Sequence, residues 1–212
     1  MQTTPKNILV LSSHTDDGEI GAGGTLHKLA SRGANIKYVA FSAAEDSVRS
    51  EFPNDILRRE VIAATAQLSI PEANVRVLQY KVRYFPKHRQ EILEDLILIR
   101  NSNDFDLVFV PSPDDIHQDH MTLSLEATRA FKSTSILGYE IPWNNRAFSN
   151  TMLSPISSEN LQAKIKSLAE YKSQQWRGYV SGEAIKALAT IRGLQCQRQF
   201  AESFEVIKWY LN

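Results

Sequence analysis

Twice in this chain a short, wholly apolar run ends in a cluster of histidines and carboxylates, and that repetition limits the folds open to it. Residues 8–11 (Ile8, Leu9, Val10, Leu11) lead into Ser12, Ser13, His14, Thr15, Asp16, Asp17, Gly18 and Glu19. Residues 107–110 (Leu107, Val108, Phe109, Val110) lead through Pro111 into Asp114, Asp115, Ile116, His117, Gln118, Asp119 and His120. An apolar run of this length reads as a strand buried on both faces, of the kind found in parallel sheets covered by helices. A helical pattern follows each cluster. Each cluster therefore sits at the carboxyl end of a strand, the edge where open α/β sheets bind ligands.

The same unit recurs between and beyond them. Strands are expected at residues 35–42, 75–78 and 135–139, and helices over 20–30, 56–68, 90–100 and 121–131. Gly33 is placed to end the first helix in a left-handed conformation, and Pro71 marks the end of the second. Residues 80–88, aromatic and basic, read as a loop lining a pocket. The alternation predicts the α/β class, with a mostly parallel sheet and helices on both faces. Residues 159–173 and 183–192 read as further helices and 204–207 as an added strand. The 212 residues are thus expected to form a single domain, with residues 1–150 the core and 151–212 a C-terminal helical extension.

In the doubly wound order 3-2-1-4-5, strands one and four flank the point where the winding reverses, so the loops that follow them face each other. Topology alone would then unite the two clusters. Their combined inventory suits a divalent metal: His14, Asp17 and His120 as ligands, with water in a fourth position. Two imidazoles and a carboxylate fit zinc better than magnesium or calcium, which prefer oxygen throughout, and another divalent metal is the alternative. Asp16, adjacent to a ligand, is the candidate base. His117 would stabilise an oxyanion or protonate a leaving amine, Asp119 would orient the His117 imidazole, and Glu19 would support the ligand shell or the helix start. Arg58 is a candidate substrate contact, as are Tyr139, Trp143 and Asn144, which follow strand five at the same edge.

Charge narrows the partners. With 24 basic and 24 acidic residues and no long Lys/Arg block, nucleic acid is a poor partner. Cys196 is the only cysteine, so no internal disulfide forms, and no stretch has the pattern of a signal peptide or membrane span. The expectation is a cytoplasmic protein acting on a small molecule, with self-association left open. One competitor uses Gly21, Gly23 and Gly24 as a dinucleotide-binding loop with Glu45 on the ribose, making the chain a non-catalytic nucleotide-binding module. Against it, Asp16, Asp17 and Glu19 would crowd the place of a pyrophosphate.

The segment from His14 through Asp16, Asp17, Gly18, Glu19, Gly21, Gly23 and Gly24 to Thr25 resembles the first motif of the PIG-L/LmbE-like zinc-dependent N-deacetylases. His117, Gln118, Asp119 and His120 resemble the second, and the likeness extends to residues 138–144 and 192–207. It implies a Rossmann-like three-layer sandwich and removal of the acetyl group from an N-acetylglucosamine-type sugar conjugate, releasing acetate and a free amine. It also implies that His14, Asp17 and His120 take the zinc-ligand places, Asp16 that of the base and His117 that of the electrostatic or acid group. Thr15 stands where the family usually has proline. Family members act on diverse glycosides, so the aglycone stays open. Other scissile bonds, such as a thiol-conjugate amide or a phosphoester, are the enzymatic alternatives.

Overall fold

The computed structural model describes residues 5–210. Seven strands form one sheet in the order β3-β2-β1-β4-β5-β7-β6. Its first five members are β1 (Asn7–Ser12), β2 (Asn35–Ala40), β3 (Val75–Val77), β4 (Leu107–Pro111) and β5 (Ser135–Tyr139). These five pair in parallel, with β1 between β2 and β4. The sheet is completed by β6 (Met152–Ile156) and β7 (Phe200–Lys208), with β7 antiparallel to both β5 and β6.

Alternate side chains of β1 explain the layers. Ile8 and Val10 enter one core with residues of α1 (Asp17–Ala30), α2 (Ile56–Gln67), α5 (Ser158–Ala169) and α6 (Gly182–Gln195). Leu9 and Leu11 enter the other, with residues of α3 (Arg89–Asn101) and α4 (Gln118–Ala130). The result is a mostly parallel sheet with helices on both faces, as the alternation predicts. Close contact between α1 and the sheet depends on glycine: a Cβ at Gly21 would lie 2.3 Å from the ring of Tyr139. Gly33 turns the chain into β2 at φ +87, in the left-handed region that glycine favours.

Two expectations change. Residues 151–208 are more than a helical extension with one strand: they supply two strands to the sheet, and α5 packs against α1. Strand β6, with its polar Ser154 and its Pro155, lacks the apolar run that marks the inner strands; it is an edge strand, where proline is tolerated. The glycine-loop reading also fails on position. Gly21, Gly23 and Gly24 lie inside α1, facing Tyr139, Lys164 and Ile156, so they pack the helix rather than open a loop for phosphate. Among the described residues, no helix is long and apolar enough to cross a membrane.

Candidate active site

Because β1 and β4 are neighbours, the loop before α1 and the loop before α4 meet at the carboxyl edge of the sheet. His14 Nδ1 lies 3.4 Å from Asp17 Oδ2, which lies 3.2 Å from His120 Nε2, and the two ring nitrogens are 3.2 Å apart. The outer nitrogen of each ring is taken. His14 Nε2 is 3.1 Å from Asp119 Oδ2, and His120 Nδ1 is 2.6 Å from Asp115 Oδ2. A carboxylate accepts, so both outer nitrogens donate, and the neutral rings turn lone pairs toward each other and toward a third acceptor, Asp17.

Asp17 Oδ2 also accepts from the His14 backbone N–H at 2.8 Å, but no hydrogen lies between the three acceptors, and their convergence calls for a cation or a proton. The triangle's edges match the ligand spacing of about 3.3 to 3.4 Å expected for tetrahedral bonds of about 2.0 to 2.1 Å. The donor set therefore fits a divalent metal. The electrostatics agree. Burial opposes charge on His120, but Asp17 and Asp115 outweigh it and push the imidazole up to about 10. Burial opposes charge on His14 as well, and Asp17 and Asp119 again prevail and raise it. Burial works against ionised Asp17 too, yet the two histidines hold it well below the usual carboxylate range.

His117 belongs to a looser grouping, in which one ring nitrogen from each of His14, His117 and His120 lies within 4.8 Å of the others. Its Nδ1 accepts from the backbone N–H of Asp119 at 3.2 Å, capping α4, so its neutral ring carries hydrogen on Nε2. Burial, then the charges of His14 and His120, lower it to about 4. This corrects the part expected of Asp119: its carboxylate holds His14, not His117, and only its backbone touches His117. Asp115, a member of the second cluster to which the sequence assigned no role, holds His120.

Asp16 lines the cavity beside this triangle, about 220 Å³ in volume. Burial, then the neighbouring charge of Asp17, raise its carboxyl, while Arg177 and His14 pull it back. Glu19 is fully buried behind the loop. It meets the hydroxyls of Tyr38 and Tyr171, both of which also reach the carbonyl of Thr15, the residue between His14 and Asp16. Burial pushes Glu19 up to about 8 against those hydrogen bonds, and a proton on it supplies the hydrogen the cluster needs.

The outer wall divides the remaining expectations. Trp143 and Asn144 line the cavity, and Trp143 stacks on Tyr179 with ring centroids 3.6 Å apart. Tyr139 does not reach it, being fully buried with its hydroxyl on the Leu11 carbonyl. Arg58 also stays out: its guanidinium is spent on Glu45 and on the carbonyls of Val77 and Leu78. Val82 and Arg83 of the 80–88 loop do line the cavity. Arg83 holds φ +71, its N–H donating to Asp119 and its carbonyl accepting from Gln118. Gln174, Arg177 and Tyr179 complete the wall. Sequence reasoning missed them, because no local pattern ties that segment to the sheet edge; buried Glu60, accepting from Ser173, brings it there.

The fold and site define a class: a Rossmann-like α/β domain that gathers a His–Asp–His donor set at the switch point of its sheet. More particularly, the chain belongs to the PIG-L family, described as GlcNAc-PI de-N-acetylase, whose sequence model matches residues 9–131. It is 27% identical over 178 residues to YaiS of Escherichia coli (strain K12), an uncharacterised deacetylase, covering 79% of this chain and 91% of that one. The fold is similar to the conserved protein TT1542 of Thermus thermophilus, at TM-score 0.79 and 23% identity, covering 97% of this chain and 96% of that one. It is also similar to N,N'-diacetylchitobiose deacetylase of Pyrococcus horikoshii, at TM-score 0.75 and 19% identity, covering 96% of this chain and 84% of that one.

Proposed function

We propose that this chain hydrolyses the acetamide of an N-acetylated amino sugar with a divalent cation, zinc by its donor set, held by His14 Nδ1, Asp17 Oδ2 and His120 Nε2. The observation that carries this reading is the triangle of three acceptors in a chain of the PIG-L family. When bound, the cation supplies Lewis-acid polarisation and acidifies water. Asp16 takes the proton of the attacking water, whose oxygen bonds to the acetyl carbonyl carbon. The His117 Nε2–H hydrogen-bonds the oxygen on which negative charge develops. As the carbon–nitrogen bond breaks, the Asp16 carboxyl returns the proton to the nitrogen, and acetate and the free amine leave. Trp143 and Tyr179 offer an aromatic surface at the cavity mouth on which a sugar ring stacks.

Metal analysis of the purified protein, with acetate and amine release measured over a panel of N-acetylglucosaminides, tests the reading. Stoichiometric zinc and matched release of both products are expected. Phosphate release, or no turnover across the panel after zinc loading, would reject it.

A further inference from the structure

On the α1 face, at the opposite edge of the sheet from the cavity, lies a trough of about 590 Å³. Phe109 of β4, Leu137 of β5 and Phe204 of β7 are among its apolar lining, Trp209 stands with them, and β6 forms one side. The last turns of α1 contribute Thr25 and Lys28, and Arg32 follows just past the helix. This volume falls within the range typical of small-molecule sites.

One unpartnered hydroxyl and two cations, Lys28 half-buried and Arg32 exposed, stand beside this trough. Thr25 is 4% exposed, and its Oγ1 has no hydrogen-bond partner, although a helical threonine can bond back to a carbonyl one turn earlier. Lys28 Nζ donates to Ser154 Oγ and to the Pro155 carbonyl, both uncharged acceptors. Among the described residues, neither Lys28 nor Arg32 forms an ion pair within 4.0 Å; the charge of Glu202, itself paired with Lys164, acts on Lys28 from further off.

We propose that this trough binds a single-chain anionic amphiphile, an alkyl carboxylate or alkyl phosphate, its chain against Leu153, Val206 and Trp209 above the buried floor of Phe109, Leu137 and Phe204, and its head toward Lys28 and Arg32. Charge complementarity selects this occupant. A second copy of the chain presenting the same face would set Lys28 and Arg32 against their own images, and a neutral lipid would add no counter-charge to either cation. The site is separate from the catalytic cavity, and the proposal stands or falls independently of the hydrolysis.

Calorimetry with decanoate, decyl phosphate and decanol, each below its aggregation concentration, tests it on the full chain. At least one anion should bind at least about tenfold tighter than the alcohol, and which one does identifies the head group. Affinity should rise roughly three- to fourfold per added CH₂ from octanoate to decanoate. The double variant Lys28→Met/Arg32→Met should erase the preference over decanol. Val206→Trp, which fills the trough from a position 37% exposed, should abolish binding of all three. Equal binding of alcohol and anions, undiminished binding to Val206→Trp, or no saturable binding would overturn the proposal. So would a dimer of the native chain that Val206→Trp dissociates.

Discussion

Asp119, in the first turn of α4, reaches back to His14 of the first loop: its Oδ2 lies 3.1 Å from His14 Nε2. A residue beside one cluster thus fixes which nitrogen of the other cluster faces the acceptor triangle. Removing such a partner typically costs 10- to 100-fold in metal affinity. Asp119→Ala is therefore expected to weaken zinc binding by roughly that factor in competition titrations against a chelator. If affinity stayed unchanged while turnover fell, the carboxylate would be serving His117 instead.

Asp16 and His14 should separate cleanly. Asp16→Asn keeps all three acceptors of the triangle, so bound metal should persist while kcat falls by about 10²- to 10⁴-fold, the usual contribution of a general base. His14→Ala should lose both metal and turnover. Metal content by mass spectrometry beside acetate release makes the comparison; near-normal turnover in Asp16→Asn would remove the base assignment.

Glu19 links the site to acid–base behaviour of the whole fold. Its folded pKa, about 8, lies above the ordinary value of 4.5, so between those values the folded state holds a proton that the unfolded state has released. Unfolding in that window sheds the proton, and Glu19's contribution, complete below pH 4.5, is lost as pH rises through 8. The loss amounts to about 1.4 kcal/mol per pH unit. Glu19→Gln keeps a donor and an acceptor for the two tyrosines, so metal-free Glu19→Gln should show a stability profile flatter by one proton in denaturant titrations from pH 5 to about 8. Parallel profiles for native and variant would show that Glu19 is ionised.

Gly21 has no room to grow. Its added methyl would fall 2.3 Å from the ring of Tyr139, whose hydroxyl is tied to the Leu11 carbonyl. Gly21→Ala should cost about 1–3 kcal/mol by overpacking, which for a chain of this size lowers Tm by roughly 2–4 °C per kcal/mol. An unchanged Tm would mean that α1 slides freely on the sheet.

The legible parts of this chain were those encoded locally. Residues 8–11 and 107–110 announce inner strands because both their faces are buried, and strand order then follows from the winding rule, which is why the meeting of His14 with His120 could be anticipated. Side-chain pairing was harder to read. Asp119 and Asp115 both lie close to histidines in the sequence, and only coordinates tell that one reaches across to His14 while the other turns to His120. Arg177 and Tyr179 were invisible because tertiary packing through Glu60 delivers them. Arg58 misled for the opposite reason: its placement at a helix start promised reach, and a neighbouring acid with two carbonyls consumed it.

The place of β7 between β5 and β6 has a consequence for biogenesis. Strand β6 pairs in the sheet with β7 alone, and β7 spans Phe200–Lys208. On the ribosome, residues 152–156 emerge well before β7, their partner in the ladder, and until it arrives both β5 and β6 present bare margins. A nascent chain stalled before residue 200 would offer two adhesive rims to its neighbours, so aggregation of interrupted translation products is built into the order in which this sheet is laid down.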